Sequence, residues 1–134
     1  MSLTADVIYC EASPKCSYEE RRLVASVIKN RIKHPGFGGG KLFSMEDVVR
    51  QKGAFSCISD RRNSNWLDIS NKTCVESVFH EALLLAKGDF EPEPEIVYYH
   101  DKSVSLPSSW NNKYYHVAKT IETEHFIFYK IVET

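Results

Sequence analysis

The sequence predicts an α+β fold, with helices in the N-terminal two thirds and a small antiparallel sheet or hairpin near the C-terminus. Three observations carry this. Apolar residues recur at helical spacing through the first part of the chain, up to about residue 87. Aromatic and β-branched residues gather into short runs after residue 95. Helical segments come first and strands last, whereas an α/β domain would alternate them. The 134 residues, 43% of them apolar, make one domain with one modest core, residues 1–134.

The first helix is predicted over residues 4–12, with Val7, Ile8 and Cys10 on its apolar side and Pro14 as its breaker. The second starts at Ser17, which with Glu20 forms an S-x-x-E capping box. Leu23, Val24, Val27, Ile28 and Ile32 repeat at helical spacing until His34-Pro35. Gly36, Gly38, Gly39 and Gly40 then read as a mobile loop. A third, short helix is predicted over residues 44–51, and residues 52–72 read as irregular. Thr73 and Glu76 suggest another capping box, opening a helix with Val75, Val78, Phe79, Ala82, Leu83 and Ala86 on one face and Gly88 as its stop. Glu91-Pro92-Glu93-Pro94 is a stiff extended connector. Residues 96–100 read as a strand, and residues 114–121 and 125–132 as a hairpin. No internal repeat or low-complexity segment interrupts this order.

Bulk properties narrow the function. A formal net charge of -1 and a pI near 6.5 give no broad positive field, which argues against nucleic acid. No apolar run approaches the roughly 18 residues of a membrane span. The opening Met1-Ser2-Leu3 lacks the charged start and apolar stretch of a secretory signal. The four cysteines, Cys10, Cys16, Cys57 and Cys74, permit two disulfides or none. No CxxC pair exists and no two histidines stand at i,i+4, so neither a metal site nor a cofactor is expected.

Glu11 is the leading chemical candidate. It follows the apolar stretch Val7-Ile8-Tyr9-Cys10 at a helix end. Desolvation and a helix C-terminus both disfavour the charged carboxylate, which suits a general acid. An apolar pocket holds the acid glutamate of lysozyme protonated in the same way. The chain then runs through Leu23-Val24-Ala25-Ser26-Val27-Ile28-Lys29-Asn30-Arg31-Ile32, Val48-Val49-Arg50-Gln51-Lys52-Gly53-Ala54-Phe55-Ser56 and Ala82-Leu83-Leu84-Leu85-Ala86-Lys87-Gly88. Tyr98-Tyr99-His100, Trp110 and His125-Phe126 close the series. This order resembles the cell wall hydrolase family of the SleB type.

The resemblance implies a lysozyme-like fold related to lytic transglycosylases, with Glu11 matching the family's catalytic Glu and peptidoglycan glycan strands as the substrate. It implies work in the cell wall, periplasm or extracellular space, and leaves open an immunity or inhibitor protein as partner. Two positions depart from the family pattern: Lys15 stands where a second acidic residue is common, and His100 where an Asn is common.

Around Glu11, Gln51, Phe55 and Ser56 fall in a loop that the resemblance puts near the cleft, where Gln and Ser can bond sugar hydroxyls and N-acetyl groups. Tyr98 and Tyr99 alternate on a strand, so one is expected to face the cleft and the other to pack inward. Trp110, in the polar loop Ser108-Ser109-Trp110-Asn111-Asn112, reads as a sugar-stacking residue, while Trp66 reads more as a loop anchor. His100 and His125 complete the binding set, His125 matching a family His. Asn30-Arg31 reads as a brace for neighbouring loops. Glu19 and Glu20 start a helix, which leaves Asp60 and Asp68 as loop candidates for a second carboxylate. With Glu11 as the one good carboxyl, the muramic acid's own C6 hydroxyl would close the reaction, giving 1,6-anhydromuramoyl ends; two carboxylates would instead make a muramidase.

Two rival classes remain. A cysteine peptidase or amidase acting on stem peptides would use Cys16, before the second helix, with one of His80, His100, His116 or His125. A glycan-binding module would need the aromatics without Glu11; its usual all-β build conflicts with four predicted helices.

Overall fold

The computed structural model describes residues 2–60 and 62–133, so Met1 of the opening tripeptide lies outside the described residues. Six helices precede three strands: α1 Leu3–Glu11, α2 Tyr18–Asn30, α3 Met45–Val49, α4 Ser56–Ser59, α5 Ser64–Ser70, α6 Glu76–Ala86, then β1 Tyr98–Asp101, β2 Tyr115–Glu122 and β3 Phe126–Glu133. The fold is α+β, and among the described residues no helix is long and apolar enough to cross a membrane.

Helix α1 is the hub. Every residue from Thr4 to Cys10 is buried, and helices α2 to α6 all touch it. A helix covered on all sides has no polar face to show, which is why its sequence carries little amphipathic pattern. Its polar residues are bonded: the Thr4 N–H and Oγ1 both donate to Glu46 Oε1 at 2.8 Å. Tyr9, fully buried, accepts the Val75 N–H at 3.0 Å and donates to Asp68 Oδ2 at 3.4 Å.

The Tyr9 contact corrects the expected start of α6. Thr73 does not cap it; its hydroxyl turns back to the Asp68 carboxylate, and Val75 stands at the N-cap with no side-chain bond of its own. The buried stripe of α6 is also rotated. Val78, Ala82 and Leu85 are buried, while Val75 and Leu83 remain 46% and 39% exposed. Leu83, Leu84 and Leu85 are chemically equal, so contact with α1 chose among them.

Residues 52–72, expected to be irregular, hold α4 and α5. Helix α5 has a proper cap: Asn63 Oδ1 accepts the N–H groups of Asn65 and Trp66 at 2.8 and 3.4 Å. Trp66 is buried in the core. The glycine loop coils into a 3-10 turn, Gly38–Gly40, whose three residues all have positive φ, the conformation that favours glycine.

Helix α2 has the capping box that Ser17 and Glu20 predict. Its other end holds the Pro-rich connector, since Lys29 Nζ donates to the Gly88 and Phe90 carbonyls and Asn30 Nδ2 to those of Glu93 and Ile96. The connector delivers β1 to the sheet, whose order is β1-β3-β2 with antiparallel pairs throughout. Tyr98 pairs with Tyr129 and Tyr99 with Phe128. Two core clusters result, one around α1 and one where α2 meets Ile96, Phe126 and Phe128. All four cysteines are free thiols.

Candidate active site

A cleft of about 800 Å³ opens between the end of α1, the loop that follows α3, and β1 with the loop beyond it. Glu11, Gln51, Phe55, Ser56, Tyr98, Tyr99, His100 and Trp110 all line it.

Glu11 is the last residue of α1, so its position is fixed by a helix buried on every side. The carboxyl is partly buried. Tyr99 donates its phenol proton to Glu11 Oε1 at 2.5 Å, and Cys57 adds its thiol and its backbone N–H. Burial pushes the Glu11 pKa up, and it outweighs the Tyr99 and Cys57 hydrogen bonds and the Arg31 charge, all of which pull down. Tyr99 is itself held far above the usual phenol value by burial and by Glu11, so it remains a donor.

Arg31, read from the sequence as a brace, is both brace and cleft residue. Its Nε donates to the Val97 carbonyl at 2.8 Å. Its guanidinium lies 4.5 Å from the Phe37 ring centroid and 5.4 Å from those of Phe55 and Tyr98. Burial lowers its pKa, and the neighbouring Tyr99, Tyr98 and Glu11 act against that. A cation held among aromatic faces beside a carboxyl is a source of positive potential that water does not screen.

Both tyrosines line the cleft, and Tyr99 is the one that also packs inward, against Phe126 and Phe128. Tyr99 serves Glu11. Tyr98 stacks on Trp110 with ring centroids 4.5 Å apart and 27° between planes. His100 is held at both ring nitrogens, by the Asp101 carbonyl and the Tyr129 hydroxyl, each at 2.8 Å.

His125 is a correction. It lies outside the cleft lining, with its N–H on Glu20 Oε2 and its Nδ1 against Glu20 Oε1, both at 2.9 Å. The loop candidates for a second carboxylate are placed elsewhere too. Asp60 is exposed and pairs with Arg62, and Asp68 is engaged by Tyr9 and Thr73. Among the described residues, the acidic residue that does share the cleft with Glu11 is Asp101, held below its ordinary value by the Ser103 N–H at 2.9 Å. Nothing in its sequence neighbourhood singled it out. Lys15 also lines the cleft. Cys16 is buried and does not line it, and burial pushes its thiol pKa up. That is the reverse of what a nucleophilic cysteine needs.

The family model described as Cell Wall Hydrolase matches residues 16–129, a segment that begins after Glu11. Among solved structures, the catalytic domain of the Bacillus cereus SleB protein superposes with a TM-score of 0.64 at 22% identity, covering 96% of this chain and 88% of that one. The catalytic domain of the germination-specific lytic transglycosylase SleB from Bacillus anthracis gives a TM-score of 0.61 at 22% identity, with 96% and 92% covered. No curated protein sequence matches the chain. The fold is thus that of the SleB catalytic domains, which is lysozyme-like, and the chain belongs to the cell wall hydrolase family.

Proposed function

We propose that this protein cleaves the glycan strands of peptidoglycan, with Glu11 as the one general acid and base, and that it works as a lytic transglycosylase in the cell wall. The observation that carries the reading is the Glu11 carboxyl: partly buried at the cleft, raised in pKa, and oriented by the Tyr99 phenol. A protonated Glu11 donates to the glycosidic oxygen as the bond to the muramic acid C1 breaks. The carboxylate left behind is stabilised by Tyr99, Cys57 and the nearby Arg31 charge. It then takes the proton of the C6 hydroxyl, whose oxygen closes on C1 within the same sugar. Joining the two ends intramolecularly replaces a second protein carboxylate and an activated water. Trp110 and Tyr98 offer a flat stacked surface for sugar rings, and Gln51 and Ser56 offer polar contacts.

One observation favours a second reading. Asp101 lines the same cleft and stays ionised, as the second carboxylate of a muramidase would. Product analysis separates the two. Digested peptidoglycan analysed by mass spectrometry is expected to carry 1,6-anhydromuramoyl ends, each one water lighter than a reducing end. Predominantly reducing ends would overturn the transglycosylase reading and make Asp101→Asn the next variant.

A further inference from the structure

The fold brings together three residues that the sequence keeps apart. Cys16 lies in the turn before α2, Glu20 in the first turn of α2, and His125 at the turn between β2 and β3. Their ligand-type atoms, one per residue, all lie within 4.8 Å of one another. Cys16 and Glu20 are buried, and His125 is partly so. None of the three lines the cleft.

We propose that Cys16, Glu20 and His125 bind one divalent transition-metal ion, and that zinc is the ion they fit. A thiolate, an imidazole and a carboxylate are the three donor types zinc accepts together, with a water in the fourth position. Calcium and magnesium, which take oxygen ligands, are poorly served by sulfur and nitrogen. Tetrahedral zinc with bonds of about 2.0–2.3 Å needs its ligand atoms about 3.3–3.8 Å apart. His125 Nδ1 and Glu20 Oε1 are already 2.9 Å apart. The Cys16 sulfur, within 4.8 Å of the other two ligand atoms, stands no more than about 1.3 Å beyond the roughly 3.5 Å spacing that a shared zinc sets between sulfur and nitrogen or oxygen.

The surroundings hold the ligands in place. Glu20 Oε2 accepts from the Thr123 hydroxyl at 2.6 Å, and Glu20 Oε1 from the Ser17 N–H at 3.1 Å. Arg21 Nη1 donates to the Cys16 carbonyl at 2.8 Å, which pins the turn that carries the sulfur. Outer contacts of this kind fix ligand orientation. Binding would release the thiol proton to solvent and replace the hydrogen between His125 Nδ1 and Glu20, the ring keeping its proton on Nε2, so that a neutral imidazole and two anionic ligands face a dipositive ion. The ion would join α2 to the β2–β3 turn beside the cleft, a stabilising role that does not touch Glu11. The same three residues also compose a thiol–imidazole–carboxylate triad, but a buried thiol outside the cleft has no access to a peptide.

The test uses the whole chain, stripped with a chelator and titrated with zinc chloride, then with cobalt(II) as a spectroscopic stand-in. One equivalent of zinc is expected to bind, the melting temperature to rise with zinc concentration, and the cobalt form to show a thiolate-to-metal absorption band. Cys16→Ser should abolish that band, and both Cys16→Ser and His125→Gln should weaken zinc at least tenfold. The glutamine can still donate to Glu20, so His125→Gln keeps the fold if the serine variant does not. His80→Gln, on the exposed face of α6, should bind zinc as the parent does. No saturable zinc binding, a cobalt spectrum without the thiolate band, or affinity unchanged in Cys16→Ser and His125→Gln would overturn the proposal. These readouts are independent of wall cleavage, so they stand or fall apart from the role of Glu11.

Discussion

Glu11 and Glu20 sit at the facing ends of consecutive helices, and the protein drives their carboxyls in opposite directions. Glu11 closes α1, where the unpaired carbonyls of a helix end repel negative charge; Glu20 is in the first turn of α2, where the free N–H groups attract it. Burial opposes ionisation at both. At Glu11 burial wins over the bonds from Tyr99 and Cys57, and the pKa rises. At Glu20 burial is overcome by bonds from Thr123, His125 and Ser17, and the pKa falls to about 2. The number and charge of the donors decide, not burial alone. One carboxyl is shifted toward its protonated form; the other is a fixed anion that ties a helix to a hairpin.

Breaking the Glu11 side of this comparison should have the largest effect. Glu11→Gln is expected to lower peptidoglycan cleavage by about 10²- to 10⁴-fold, the usual worth of a general acid–base group. It should not unfold the protein. The raised pKa means the folded state favours the protonated form, so stability from this group is greatest below the ordinary Glu value and declines as pH rises through the folded pKa. The glutamine variant, having no charge to bury, should therefore match the parent in acid and melt slightly higher at neutral pH. Wall-clearing assays and melting curves across pH check both statements, and a variant keeping a tenth of the parent's activity would remove Glu11 from the mechanism.

Glu20→Ala attacks the other carboxyl. It strips a buried set of partners from Thr123, His125 and Ser17, a loss expected at about 3 kcal/mol in chemical denaturation. With a depressed folded pKa, the stabilisation by Glu20 is present above the ordinary carboxylate value and disappears as pH falls toward about 2. The parent should lose stability through that acid window and the alanine variant should lose less. Cleavage by the folded fraction at low temperature should persist, in contrast with Glu11→Gln.

Tyr99→Phe sharpens the contrast by removing one donor from Glu11. The Tyr99 bond lowers the Glu11 pKa, so the alkaline limb of the pH–rate profile should move upward. The rate should fall about tenfold, the worth of one hydrogen bond to a reacting charge. An unmoved alkaline limb would mean that another group sets it. The smallest effect is expected at the aromatic wall, where Trp110 stacks on Tyr98. Trp110→Ala should weaken retention on insoluble peptidoglycan by about 1 kcal/mol while changing the melting temperature little. A large stability loss with unchanged retention would make Trp110 a packing residue.

Much of the fold is legible in the chain, and the legible part is local. Pro14, the Ser17–Glu20 capping box, the Gly88 stop and the final hairpin all act through neighbours a few residues away. Glu11 is legible because an apolar run before a carboxyl already points to burial, the cause of its raised pKa. The misleading signals are those that tertiary contact overrides. Thr73 and Glu76 have capping-box spacing, yet Tyr9 meets the Val75 N–H. Asn63 is an available helix signal in a stretch too polar to suggest one.

The sequence by itself determined the α+β class, the order of helices before strands and Glu11 as the leading candidate acid, because propensity, capping and periodicity are written in adjacent residues. Only the tertiary structure decided which face of α6 is buried, that Arg31 and Asp101 join Glu11 in one cleft, and that His125 leaves it for Glu20. It also decided that Cys16, Glu20 and His125 meet. Those outcomes rest on contacts between residues tens of positions apart, where several side chains of equal hydrophobicity or charge compete and packing selects one.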